Sequence, residues 1–172
     1  MPKNILMIIA PDKFRDEEFL EPKKVFEDNN LKVTVASKGV KQAKGKLGAI
    51  AEVDKDISEI NTKDYDAIAF IGGAGASVYF EDDTALSLAK EAYDQGKITA
   101  AICIAPSILA NAGILNGKKA TAFQSEENNL VEKGADYTGQ PVTQDGNIIT
   151  ANGPAAATSF GVTIAKALAN QG

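Results

Sequence analysis

The chain has 172 residues and a net charge of −5, with 44% apolar and 24% charged residues, which is the balance of one globular domain of common size. Lys is interleaved with Asp and Glu throughout, so no basic face is available for nucleic acids or anionic membranes. The chain contains one Cys and no His, which excludes an intrachain disulfide and any Ser-His-Asp or Cys-His triad, and argues against a zinc site.

The start of the chain carries no recognisable targeting segment. The apolar run at 5–10 is followed by Asp12 and is too short for a secretory signal peptide, and no apolar stretch approaches the ~18 residues of a membrane helix. A single Cys fits a reducing compartment. We therefore predict a cytoplasmic protein whose partners include neither a nucleic acid nor a membrane.

Short apolar runs alternate with amphipathic segments along the chain. In chain order, the pattern predicts a strand at 5–9, a helix at 16–29, a strand at 31–36, a loop or hairpin at 38–48, strands at 49–53 and 66–71, a helix at 82–95, a strand at 98–102, a helix at 106–112, strands at 119–123 and 147–151, and a helix at 155–169. This alternation is typical of an α/β fold with a mostly parallel sheet and helices on both faces.

Polar residues, glycine and proline mark the ends of the predicted helices. Asp16 is expected to cap the first helix and Asp82 or Asp83 the second. Pro106 suits the first turn of the third predicted helix, because an N–H at that position has no partner within the helix. Ligands of such folds bind beyond the carboxyl ends of the strands, which draws attention to the segments 11–18, 72–77 and 103–107.

Cys103 falls where an apolar strand runs directly into a helix. Such a corner holds a side chain above the sheet, as a nucleophile elbow does, and the start of the helix is expected to lower the thiol pKa. The backbone N–H of Ile104 would then face an oxyanion formed beside the sulfur. The alternative is an inert cysteine packed inside the sheet, because free Cys is among the most buried residues.

Gly72 and Gly73 follow a buried strand and begin the run GGAGA. The run matches neither a Walker loop nor the dinucleotide-binding fingerprint. It is either a tight turn or a loop whose amides approach a ligand closely. If the loop neighbours Cys103, the N–H of Gly73 is expected to be a second oxyanion donor.

Glu18 lies in an acidic segment at the start of the first predicted helix. Carboxylates are favoured there by the helix dipole, and an exposed position explains them without any function. The alternative is a carboxyl group turned toward the crevice, buried and protonated, which could donate a hydrogen bond to a thiolate. The residues alone leave both interpretations open.

In this order and spacing, these segments resemble the DJ-1/PfpI (ThiJ/PfpI) superfamily, and its DJ-1-like branch most closely, over nearly the whole chain. The matching stretches are EFLEP (18–22), LKVTVAS (31–37), YDAIAFIGGAG (65–75), AAICIAPSILANAGILNGKKAT (100–121) and DGNIITANGPAAATSFGVTIAKAL (145–168). The resemblance implies a flavodoxin-like, doubly wound sandwich that forms one domain over residues 1–172 and assembles as a homodimer.

The resemblance also implies site residues. Cys103 matches the reactive cysteine of the family, and Glu18 matches the glutamate that hydrogen-bonds it. The other implied residues are the backbone donors Gly73 and Ile104 and the pocket residues Gly72, Asn152, Gly153 and Pro154. The last three match a loop that closes over the site, although a plain turn at a helix start also explains them.

Two departures from the family pattern bear on the activity. Ile104 follows Cys103 where peptidase-like members carry a His, and Phe123 stands where the deglycase and glyoxalase branch often has one. Glu18 is then the only general acid or base in the predicted site. Whether Phe123 lines the pocket or packs in the core is left open by the sequence.

The leading hypothesis for the function is a thiol enzyme of the glyoxalase or deglycase type. Its partner would be a small carbonyl compound, methylglyoxal or glyoxal, or an adduct of these on amines and thiols, and it would need no metal or organic cofactor. The alternative is a redox sensor or chaperone that oxidises Cys103 to sulfinic acid in oxidative stress. An intracellular cysteine peptidase ranks last, because the chain lacks the base that it needs.

Overall fold

A seven-stranded sheet forms the centre of the computed structural model, which describes residues 2–171. The strands of the structure are β1 (Asn4–Ile8), β2 (Asp12–Phe14), β3 (Lys32–Ser37), β4 (Gln42–Gly45), β5 (Ile50–Glu52), β6 (Lys55–Asp56), β7 (Ala67–Phe70), β8 (Ile98–Ile102), β9 (Lys119–Ala120), β10 (Asp136–Tyr137), β11 (Val142–Asp145) and β12 (Ile148–Ala151). The α-helices are α1 (Asp16–Asp28), α2 (Asp83–Asp94), α3 (Pro106–Asn111), α4 (Glu127–Glu132) and α5 (Ala157–Asn170). Single 3₁₀ turns lie between them at Ile57–Glu59, Thr62–Asp64, Gln124–Glu126 and Pro154–Ala156, and a longer one at Ala74–Tyr79.

The main sheet has the spatial order β11-β12-β8-β7-β1-β3-β6. Every neighbouring pair is parallel except β11 and β12, which are antiparallel. The predicted α/β fold with a mostly parallel sheet is therefore confirmed. The strand β8 lies between β7 and β12, and the three strands are parallel. The segments that follow them therefore meet at the carboxyl end of the sheet.

The two faces of the sheet bury separate apolar clusters. Ile5 and Met7 of β1 belong to the cluster that includes Phe19 of α1 and Phe160 of α5. The alternate residues of β1 belong to the second cluster, with residues of α2 and α3. Because neighbouring residues of a strand point to opposite faces, a sheet covered on both sides needs continuous apolar strands, and this explains the runs in the sequence.

Most predicted elements match the structure within a few residues. The segment 38–48, predicted as a loop or a hairpin, supplies one strand of a hairpin, and the predicted strand at 49–53 supplies the other. The strands β4 and β5 pair antiparallel across a turn, and β2 joins them in a separate three-stranded sheet. Asp82 caps α2, since its carboxylate accepts a hydrogen bond of 3.0 Å from the amide of Ala85. No described helix has the length and apolar character needed to cross a membrane.

The prediction that Asp16 caps the first helix is wrong. Arg15 occupies the cap position without a side-chain cap bond, and Asp16 is the first helical residue. Its carboxylate instead accepts 2.8 Å hydrogen bonds from the amides of Leu47 and Ala49. Asp16 thus holds the β4–β5 turn against α1, a long-range role that local sequence does not reveal.

The predicted strand at 119–123 is correct only at its start. Lys119 and Ala120 form β9, which pairs with β10 outside the main sheet. Thr121 instead donates its hydroxyl to the carbonyl of Gln140 and its amide to the hydroxyl of Thr150. The short elements α4, β10 and β11 were not predicted, because their sequences are largely polar and each buries few side chains.

Candidate active site

Cys103 lies immediately after β8, at the predicted corner with α3. Its φ of 66° places it in the left-handed region, which non-glycine residues seldom occupy. Two backbone hydrogen bonds fix this conformation: the Cys103 amide donates to Ala151 at 2.9 Å, and the Phe123 amide donates to the Cys103 carbonyl at 2.7 Å. The surrounding structure therefore holds a strained corner in place, as is common at functional sites.

Glu18 reaches this corner from the first turn of α1 and is completely buried. Gly72 makes the approach possible. A Cβ atom at Gly72 would lie 2.5 Å from Glu18 Oε1 and 2.6 Å from Cys103 Cβ, so any larger residue would separate the two groups. Neither carboxyl oxygen has a partner with hydrogen-bond geometry among the described residues. A buried polar group without a partner is costly and points to a function.

Burial raises the pKa of Glu18 to about 7. The Cys103 thiol, the charge of Arg15 and the amide of Gly72 oppose this rise. Glu18 therefore loses its proton near neutral pH, where an ordinary glutamate is fully ionised.

The expectation that the helix start lowers the thiol pKa is wrong. Burial raises the pKa of Cys103 to about 12, the charge of Glu18 adds to the rise, and the amides of Gly73 and Ile104 oppose it. Cys103 is only 9% exposed, and α3 is six residues long. Desolvation and a neighbouring carboxylate therefore outweigh a short helix dipole.

Glu18 and Cys103 consequently hold one proton between them from near neutral pH to strongly alkaline pH. Their titrations belong to the pair and not to either group alone. The higher pKa of Cys103 places this proton mainly on the sulfur. Transfer of the proton to the neighbouring carboxylate of Glu18 gives a thiolate that faces the amides of Gly73 and Ile104. That arrangement supplies a nucleophile, an acid and two oxyanion donors within one site.

Asn152, Gly153 and Pro154 directly follow Ala151, whose carbonyl accepts the hydrogen bond of the Cys103 amide. They line a cleft of about 550 Å³ together with Phe123 and Tyr137. Phe123 is 47% exposed, so it lines the cleft and does not pack in the core. The structure thus brings Cys103, Glu18, Gly72, Gly73 and Ile104 together, and places the residues 152–154 in an adjoining cleft.

Arg15 is a member of the site that the sequence reasoning missed. Its backbone N–H donates to the carbonyl of Gly72 at 2.9 Å, and its guanidinium group pairs with Glu17 at 2.9 Å. One signal was available, since Arg15 is the only arginine of the chain. In the described part of the chain, no three His, Cys, Asp or Glu side chains are arranged to hold a metal ion.

Gly73 is expected to tolerate no side chain. Its φ is 102°, and a Cβ atom there would lie 2.3 Å from the Arg15 amide nitrogen and 2.5 Å from the Lys13 carbonyl oxygen. We expect Gly73→Ala to reduce the free energy of unfolding by about 3 kcal/mol or more, from backbone strain and the clash together.

Gly113→Ala is the matched control for this prediction, measured by urea unfolding. Gly113 also has a positive φ, of 82°, but no neighbouring atom lies within 4 Å of the position that a Cβ atom would take. Strain alone predicts a loss of about 1–2 kcal/mol there. Equal losses for the two variants would show that the contact of Gly73 with the segment 13–15 is unimportant.

Comparisons with known proteins agree with this architecture. The model of the DJ-1/PfpI family matches residues 3–167. An uncharacterised protein of Methanocaldococcus jannaschii is 46% identical over 167 residues, covering 95% of this chain and 82% of its own. A deglycase of Pyrococcus abyssi is 30% identical over 149 residues, with 87% and 90% covered. The crystal structure of a ThiJ/PfpI domain protein from Brachyspira murdochii is 34% identical, with a TM-score of 0.96 and 98% of both chains covered.

Proposed function

Because the chain belongs to the DJ-1/PfpI family, we propose that it is a cysteine-dependent enzyme acting on small reactive aldehydes, methylglyoxal and glyoxal above all, or on their adducts. The name of the Pyrococcus abyssi relative supports an enzymatic or protective activity of this kind. The observation that carries the proposal is the buried Glu18 carboxyl group beside the Cys103 thiol, with two backbone amides facing the sulfur.

In the first step the proton of the Cys103 thiol passes to Glu18, and the resulting thiolate adds to the aldehyde carbon. A C–S bond forms, and the π electrons of the C=O bond move to the oxygen. The amides of Gly73 and Ile104 stabilise this oxyanion, and the proton of Glu18 neutralises it. The product is a hemithioacetal, and Glu18 is left as a carboxylate.

Glu18 then acts as the base for the rest of the reaction. It removes the proton from the carbon bound to sulfur and returns it to the neighbouring carbon, which converts the hemithioacetal to a thioester of a 2-hydroxy acid. Attack by water releases lactate or glycolate and restores the thiol. The steps need no cofactor. A general base contributes about 10²- to 10⁴-fold, so a site that lacks an imidazole is expected to be slow.

The test follows lactate formation from methylglyoxal while Cys103 is blocked stepwise with iodoacetamide. The chain has one Cys, so intact mass gives the blocked fraction directly. We expect activity to fall in proportion to that fraction. Absence of lactate above a protein-free control, or full activity after complete alkylation, would contradict the proposal.

Oxidation of Cys103 is the second candidate function, and the same geometry supports it. A protonated Glu18 beside the sulfur can donate a hydrogen bond to a sulfinate oxygen. Treatment with peroxide followed by intact mass tests this candidate. Addition of two oxygen atoms at Cys103, with no lactate from methylglyoxal, would favour a redox sensor over the enzyme.

A further inference from the structure

Arg15 is the only arginine among the 18 basic residues of the chain, and it lies at the candidate active site. A guanidinium group presents a planar pair of N–H donors that matches a carboxylate, whereas the ammonium of lysine is a compact point charge. The chain has lysine at all its other basic positions, so Arg15 is the one residue that supplies a planar pair of N–H donors.

The backbone ties Arg15 directly to the group around Cys103. The Arg15 amide donates to the carbonyl of Gly72, and Gly73 approaches the Arg15 backbone so closely that a Cβ atom would lie 2.3 Å from its nitrogen. On its other side, Gly72 abuts Glu18 and Cys103. The charge of Arg15 acts on both of these groups.

The guanidinium group is paired only with a surface carboxylate. Its Nε and Nη2 atoms each donate to Glu17 at 2.9 Å, and the two side chains are 30% and 32% exposed. The pair is bidentate and partly open to solvent, so a carboxylate that offers the same two acceptor oxygens can exchange with Glu17.

We propose that Arg15 forms an anion subsite beside Cys103, so that among 2-oxoaldehydes the site prefers those that carry a carboxylate group. This inference rests on the proposed function, because it specifies which electrophiles the thiol accepts. The covalent step is unchanged: the sulfur bonds to the carbonyl carbon, the oxygen takes the proton of Glu18, and no oxidant or reductant is needed. The carboxylate of the substrate meanwhile takes the place of Glu17 on Arg15.

Iodoacetate and iodoacetamide test the subsite, because they carry the same reactive carbon and differ in charge. The rate constants for alkylation of Cys103 are measured by intact mass at low salt, and their ratio reports anion selection. We expect Arg15→Gln to lower the iodoacetate-to-iodoacetamide ratio about threefold to tenfold, as removal of one nearby charge predicts. Arg15→Lys is expected to lower it less, and Glu17→Gln to raise it. Added salt is expected to bring the iodoacetate-to-iodoacetamide ratio of the wild type closer to that of Arg15→Gln, because salt screens the charge of Arg15.

Lys23→Gln is the matched control. Lys23 lies on α1, the helix that Arg15 precedes, and makes a 2.9 Å ion pair with Glu27, so this variant also removes one positive charge, but from a residue with no contact to Gly72 or Gly73. An unchanged ratio in Arg15→Gln, with normal alkylation by iodoacetamide, would overturn the subsite, and so would an equal fall in Lys23→Gln. Failure of the proposed function gives a different result, in which the ratio depends on Arg15 but methylglyoxal yields no lactate.

Discussion

Cys103→Ala is expected to reduce lactate formation from methylglyoxal to the protein-free background, a loss of at least about 10³-fold. The reason is that no other side chain of the chain carries a thiol, so no second nucleophile of this kind can form the hemithioacetal. Cys103→Ser keeps the size and polarity of the side chain, but an alcohol is far less acidic than a thiol. We expect it to be nearly as inactive as alanine.

The loss in these variants must be separated from unfolding. Alanine keeps the Cβ atom at the strained corner, so the backbone cost of the 66° φ angle remains, and only the sulfur is removed. We expect the free energy of unfolding to change by about 1 kcal/mol or less, because the substitution removes a single sulfur atom and adds no strain to the backbone. A folded Cys103→Ala protein that retains a tenth of the wild-type turnover would exclude thiol catalysis.

Glu18→Gln is expected to lower turnover about 10²- to 10⁴-fold, because glutamine can neither give nor take the proton. The same change is expected to make the thiol more reactive toward iodoacetamide near pH 8, since the charge of Glu18 raises the pKa of Cys103. Turnover and alkylation rate are therefore predicted to move in opposite directions. Loss of packing would also expose Cys103, which is 9% exposed in the fold, so the free energy of unfolding of the variant is measured by urea alongside the two rates.

Glu27→Gln serves as the control for this experiment, because Glu27 is an exposed carboxylate on the same helix. It is expected to leave both the turnover and the alkylation rate unchanged. If Glu18→Gln is as stable as the wild type and retains its turnover, or if it lowers the alkylation rate, the role of Glu18 as the acid and base of the site is wrong.

The raised pKa of Glu18 also predicts how stability depends on pH. An unfolded glutamate ionises near its ordinary pKa of 4.5, whereas Glu18 in the fold has a pKa of about 7. Between these values the folded state binds the extra proton, so the free energy of unfolding falls as pH rises through the window, by about 3 kcal/mol in total. Urea unfolding at pH 5 and pH 8 measures this fall. We expect a smaller fall in the free energy of unfolding between pH 5 and pH 8 for Glu18→Gln. An equal fall in both proteins would show that Glu18 does not have the raised pKa.

The sheet could be predicted because its evidence is local. Strands buried on both faces must be continuously apolar, and Ile5–Ile8 and Ala67–Phe70 show this directly. The corner at Cys103 could be predicted for the same reason, since a strand end and a helix start adjoin in the sequence. The position of Glu18 came from the family resemblance, because an acidic first turn alone also fits an exposed helix start.

What escaped prediction depends on contacts between distant parts of the chain. Asp16 has a sequence environment typical of a cap, yet it binds amides about 30 residues away. The thiol pKa was expected to fall because the helix start is visible in the sequence, whereas the burial that raises it is not. Arg15 was missed because its importance arises from contacts with Gly72 and Gly73, which only the folded chain brings together.

The outer strands of the main sheet bear on how copies of this chain would associate. One edge strand is β6, which has two residues. The other is β11, which has four residues and ends at Asp145. Short edge strands with charged residues are poor templates for pairing with a further strand, and natural proteins use them to avoid aggregation. Neither edge of the main sheet is therefore suited to pairing edge to edge with a second copy of this chain.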